Sequence, residues 1–159
     1  MFQIGDKIVH PMHGAGIIDN ITTQRINGVT REYYVLKLPV GGILVMVPTA
    51  NCEEIGVRPV MKSAEVDRVL AGMRELKVEH DSNWNRRYRE NMAKLKSGDL
   101  TEVARVMKSL MVREAEKGLS TGERKMLHSA RQILFSEAIL SGIGTYDEIE
   151  NRISAALTQ

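Results

Sequence analysis

All four prolines of this 159-residue chain fall at or before Pro59, and none follows it. Proline removes a helix donor and clashes with the preceding turn, so a long proline-free tract is free to be helical where a proline-punctuated one is not. The hydrophobic pattern changes at the same point. Before Pro59 the apolar residues come in short, partly alternating runs, and after it they recur every three or four positions. The chain is therefore expected to hold two modules, residues 1–58 and residues 59–159, in an α+β arrangement.

The first module reads as β structure. Residues 4–10 (IGDKIVH) are a short run stopped by Pro11, and residues 14–25 (GAGIIDNITTQR) are rich in β-branched side chains. Asn27-Gly28 is the signal of a tight hairpin turn. Residues 30–39 (TREYYVLKLP) follow, then a Gly41-Gly42 turn and residues 43–48 (ILVMVP). Four or five short strands with closely spaced turns predict a small, strongly bent antiparallel sheet or barrel. Chemistry here is thin. His10 and His13 beside Pro11, with Cys52 far along the chain, lack the further ligands a metal site needs and read as turn residues. Gly14-Ala15-Gly16 precedes a strand rather than a helix, which argues against a phosphate cradle. No nucleophile, base and orienting acid are grouped, so no catalytic residue, cofactor or small-molecule substrate is expected.

The second module reads as about five capped amphipathic helices forming a compact all-α domain. The first covers residues 63–73 and buries Val66, Val69, Leu70 and Met73. A polar stretch at 79–83 (EHDSN) leads into the second, with Ser82 or Asn83 as its cap and Gly98 as its stop. Asp99-Leu-Thr-Glu102, Ser120-Thr-Gly-Glu123 and Thr145-Tyr-Asp-Glu148 are three capping boxes that open the rest. Their inward faces are Leu100, Val103, Ala104, Met107, Leu110 and Met111; then Leu127, Ala130, Ile133, Leu134 and Ala138; then Ile149, Ile153 and Leu157. Arg124, Lys125 and Arg131 fall outside.

Charge marks one region. Residues 1–60 and 61–80 are each balanced, whereas residues 81–134 hold twelve basic against seven acidic side chains and residues 135–159 one against four. A local patch of net +5 suits an anionic partner. Its focus is residues 82–98 (SNWNRRYRENMAKLKSG), which carry the only tryptophan, Trp84, with Arg86, Arg87, Arg89, Lys94 and Lys96. An aromatic among guanidiniums is what a minor-groove wedge requires. Trp84, Tyr88, Met92 and Leu95 also share helical spacing, so the same ring could equally belong to the core. The lone cysteine excludes an internal disulfide and fits a reducing cytoplasm. No apolar run is long enough to cross a membrane, and the amino-terminal residues lack the apolar segment of a signal peptide.

These stretches together give the chain a resemblance. IGDKIVHPMHGAGII at 4–18, REYYVLKL at 31–38, NWNRRYREN at 83–91, LKSGDLTEVARVMKSL at 95–110 and EKGLSTGERKMLHSARQIL at 116–134 make it similar to the CarD/CdnL family of bacterial transcription regulators. The resemblance implies a Tudor-like (SH3-like) barrel, similar to the polymerase-binding domain of the transcription-repair coupling factor, that binds the β subunit of RNA polymerase. It further implies a helical domain on promoter double-stranded DNA at the upstream edge of the melted region, in the minor groove and without sequence specificity. Trp84 matches the family's tryptophan, and Arg86, Arg87 and Arg89 match the basic residues after it. The family is not enzymatic, and it works in the cytoplasm, on the nucleoid with polymerase. On the polymerase-facing strands this sequence departs from the family, with Gln24 and Met46 where arginines are expected and Arg25 beside the first.

The expected mechanism is a tether and a wedge. The barrel holds polymerase through Gln24, Arg25 and Met46 while Trp84, Arg86, Arg87, Arg89, Lys94, Lys125 and Arg131 meet DNA. The alternative is a polymerase-bound adaptor whose helical domain engages another protein.

Overall fold

The computed structural model describes residues 1–78 and 81–157. Glu79 and His80, from the expected polar stretch, lie outside the described residues, as do residues 158 and 159.

Five strands form one antiparallel sheet in the order β4-β3-β2-β1-β5, with β1 at Lys7–His10, β2 at Gly14–Ile26, β3 at Val29–Lys37, β4 at Leu44–Pro48 and β5 at Arg58–Pro59. The β2–β3 hairpin turns on Asn27 and Gly28, both at positive φ (52° and 78°), the pair of left-handed residues a two-residue hairpin needs. The register slips between Ile18 and Asn20, leaving Asp19 as an extra residue. A bulge of this kind bends its strand, and it divides β2 into a buried first half and an exposed second half. Side chains from β1 to β4 meet Cys52 and Val57 in one apolar cluster with Ile8, Ile18, Tyr34, Leu36 and Val47. The end strands β4 and β5 are not paired with each other among the described residues, so the barrel is held at that seam by its core. Ile4 is not in the first strand; it sits exposed in a turn. A one-turn helix, α1 at Cys52–Ile55, was not expected, being too short to show periodicity.

Five helices follow: α2 at Ser63–Ala71, α3 at Trp84–Lys96, α4 at Leu100–Glu116, α5 at Thr121–Ser141 and α6 at Tyr146–Leu157. The caps are those the sequence names. Asn83 Oδ1 accepts from the Arg86 amide (3.0 Å) and Asp99 Oδ1 from Thr101 (2.9 Å). Thr145 and Glu148 exchange the two bonds of a full capping box. The first helix is shorter than periodicity predicts. It stops at Ala71, and Met73–Glu75 continues as a 3-10 turn; Lys108 Nζ donates to the carbonyls of Met73, Arg74 and Leu76 at 2.7–2.9 Å. The helices close on a second core that includes Leu95, Met107, Leu110, Leu134, Phe135 and Ile149.

The modules are joined along α5. Its second half lies on the start of β2, where Gly14 has φ +98° and a methyl on it would fall 2.5 Å from Ser136 Oγ. Ser136 Oγ accepts the Ala15 amide at 2.8 Å. The Gly14-Ala15-Gly16 run is thus a seat for a helix backbone, and Gly16 serves the barrel itself, 2.6 Å (as a methyl) from Leu36.

Candidate nucleic-acid interface

Trp84 opens α3 beside the start of α5. Its Nε1 donates to Ser120 Oγ (3.0 Å), and Ser120, the cap of α5, also accepts the Glu123 amide (3.2 Å) and donates to Glu123 Oε1 (3.1 Å). The indole stacks on Tyr88, 5.0 Å between centroids and 18° between planes. Gly122 lies under both rings: a methyl there would sit 3.5 Å from Tyr88 and 3.7 Å from Trp84. The ring is 42% exposed. It belongs neither to the core nor to free solvent; one face and one polar atom are fixed and the rest is presented. Two helix amino termini meet at this point, and their combined dipoles favour an anion.

The basic residues of α3 separate into two sets. Arg86, Arg89 and Lys96, with Ala93 between, follow i, i+3, i+7, i+10 spacing and are all exposed, forming one stripe. Arg86 has a loose 3.5 Å pair with Asp81, while Arg89 and Lys96 have no ion-pair partner among the described residues. Arg87, expected at DNA, is set apart from the stripe. It is only 7% exposed, with Nε and Nη2 donating to Glu123 (2.8 and 3.2 Å) and Nη1 donating to the Asp81 carbonyl (2.8 Å). Three of its five N–H donors are committed and the side chain is buried, so Arg87 locks α3 to α5. Burial alone would raise the Glu123 carboxyl, but the Arg87 hydrogen bonds and charge, with help from Ser120, hold it below the ordinary range. Trp84, Ser120, Glu123 and Arg87 are thus one hydrogen-bonded chain.

The remaining expected residues scatter. Lys125 is exposed, one turn along α5 from Gly122, with Arg124 next to it. Lys94 is half-buried and turned toward the α4 side, where it lines a cleft with Asp81, Asn91 and Arg105. Arg131, also expected at DNA, lies 4.9 Å over the Phe135 ring and is ion-paired with Glu150, clamping α5 to α6. Lys96, which was given no role from sequence, is placed by the helical stripe through Arg89 ahead of Lys94.

On the barrel, Gln24 pairs with Arg31 and Met46 with Val35. Directly opposed residues share a face, and Arg31 and Val35 are four apart on one strand, so Gln24, Arg31, Val35 and Met46 line a single face. Met46 and Leu44 are exposed there. Arg25, paired with Thr30, projects to the other side. The arginine that shares the face of Gln24 is Arg31, which the sequence reading quoted without using. The His10 and His13 rings lie 4.5 Å apart, tilted by 40°, and His10 Nδ1 accepts the Met12 amide. Burial, then the charge of His13, pushes His10 down to about 4, so it is neutral. Among the described residues no three His, Cys, Asp or Glu side chains are grouped for a metal, and no helix is long and apolar enough to cross a membrane.

Both halves of the chain match known families. Residues 2–61 match the CarD-like/TRCF RID domain and residues 60–154 the CarD carboxy-terminal domain. The chain is 36% identical over 144 residues, 90% of its length and 94% of the relative's, to YdeB of Bacillus subtilis (strain 168), whose name proposes a transcription factor.

Proposed function

Because the chain belongs to the CarD family of transcription factors, we propose that it acts without catalysis, binding the β subunit of RNA polymerase through its barrel and promoter DNA through its helical module. The exposed face with Gln24, Arg31 and Met46 is the side offered to polymerase, and Arg25 lies on the opposite face. Tethering raises the local concentration of a weak DNA binder, so a small basic surface suffices. Arg86, Arg89, Lys96 and Lys125 hold phosphates, and Trp84 presses into a minor groove distorted at the edge of the bubble.

The observation that carries this reading is the half-exposed indole, fixed by Ser120 and Tyr88 where two helix amino termini converge beside an exposed basic stripe. A core tryptophan would have no reason to be held there. A ring that fits only distorted DNA binds the open complex better than the closed one, and only such a difference shifts the equilibrium. A preference of about 1.4 kcal/mol gives about tenfold more open complex.

The test is open-complex lifetime on a promoter with an unstable bubble. The full chain lengthens it, and Trp84→Ala, still folded by circular dichroism and still bound to polymerase, loses most of that effect. If both lengthen it equally, the wedge is wrong. If neither does while polymerase stays bound, the helical module serves another protein instead.

A further inference from the structure

One helix, α5, links the two modules that carry the surfaces just described. α5 begins at the Ser120 cap that holds Trp84 and reaches the barrel at Ser136 and Glu137. Seventeen residues of helix separate Ser120 from Glu137, about 26 Å at 1.5 Å per residue. Glu137 is fully buried and accepts Arg58 Nη1 and Nη2 at 2.6 and 2.7 Å and the Met61 amide at 2.8 Å. Arg58 lies in the last barrel strand, and its Nε donates to the Gly98 carbonyl (2.9 Å) at the turn that ends α3. One guanidinium therefore ties the barrel to α5 and to the helix that bears Trp84. The Gly14–Ser136 contact pins the same helix to the barrel at a second point.

A module boundary normally falls in an exposed linker with few crossing contacts. Here it is closed by a bidentate ion pair whose carboxylate has no exposed surface. We infer that Arg58 and Glu137 are positioning residues that make the chain a fixed-length strut, so that binding of the barrel to polymerase places Trp84 at one set position on the DNA. The inference rests on the proposed function. A loose joint would spread Trp84 over a larger volume and lower its effective concentration at the bubble edge, without changing either surface.

The experiment uses the full chain with spin labels at Asp19→Cys and Glu116→Cys, both exposed and one in each module, while Cys52 stays buried. The variants are Arg58→Gln and, independently, Gly14→Ala, which drives a methyl against Ser136 and the α5 backbone. Trp84 fluorescence and circular dichroism select variants that remain folded. The parent gives one narrow interlabel distance. In the variants that distance broadens, polymerase retention is unchanged, and the lengthening of open-complex lifetime falls by about threefold or more. A distance that stays narrow in both folded variants overturns the assignment of the joint to these contacts. A distance that broadens with no loss of lifetime overturns its importance. If the parent chain itself does not lengthen the lifetime, the underlying function is wrong, and that result appears before any joint variant is tested.

Discussion

Replacing Arg87 by methionine separates a structural arginine from one proposed to contact DNA. Methionine keeps much of the apolar stem and removes the charge. What remains is Glu123, 2% exposed, with the Ser120 hydroxyl as its surviving close side-chain partner. Stripping the partner from a buried ion pair costs about 3 to 5 kcal/mol. Arg113 Nε lies 4.0 Å from Glu123 Oε2 and has no hydrogen-bond partner among the described residues, so it can move in and recover part of the loss. The expected cost is therefore at the lower end, about 3 kcal/mol, against a total of about 5–15 kcal/mol for a typical protein. Urea unfolding followed by circular dichroism and by Trp84 emission reads it: at a slope of about 2 kcal/mol per molar, the midpoint falls by about 1.5 M. Arg89→Met, on the exposed stripe, changes stability by less than about 0.5 kcal/mol. The double variant Arg87→Met with Glu123→Leu regains most of the loss, because an apolar pair of similar volume carries no stranded charge. If Arg87→Met instead leaves stability within about 1 kcal/mol while weakening promoter binding as Arg89→Met does, the buried pair is not the role of Arg87 and the site assignment above fails.

Two further outcomes are expected. Alanine at Arg86, Arg89 or Lys96 lowers the salt slope of promoter-complex binding by about one per site, whereas alanine at Arg131, held by Glu150 and Phe135, leaves that slope unchanged; titrating binding against salt measures both. Acid destabilises the chain in two windows: His10, neutral in the fold with its value lowered to about 4, erodes stability as pH falls from its ordinary 6.5 toward 4, and Glu123, held below the usual carboxylate range, erodes it further below about pH 4.3. His10→Gln flattens the first window and Glu123→Gln the second in pH-dependent urea unfolding. A single steep loss below pH 4 that is insensitive to both variants would contradict these assignments.

Much of the fold was legible because it is written locally. The Asn27-Gly28 turn, the Asn83, Asp99, Ser120 and Thr145 caps and the change of period at Pro59 all depend on residues within one turn of each other. The placement of Trp84 was partly legible: spacing put it in line with Tyr88 and Leu95, and the structure shows that line running from buried Leu95 out to an exposed ring. The reason is that α5 begins beside it, so the first turn of α3 projects past the packed stretch, and no periodicity encodes where a neighbouring helix starts.

The sequence by itself determined the four longer strands and the five longer helices, the caps that open four of those helices, and that a basic aromatic cluster opens α3. Only the tertiary structure decided which arginines that cluster keeps. Arg86, Arg87 and Arg89 are alike in sequence, yet Arg87 is claimed by Glu123, 36 residues away, and Arg58 by Glu137, 79 residues away. The GAG run, read only as the approach to a strand, became a helix seat because Ser136 arrives from 121 residues further on. Local signals act through a few backbone bonds and survive in the one-dimensional pattern. A charge buried against a distant partner is favourable only after both have left water together, and that pairing exists in the folded chain alone.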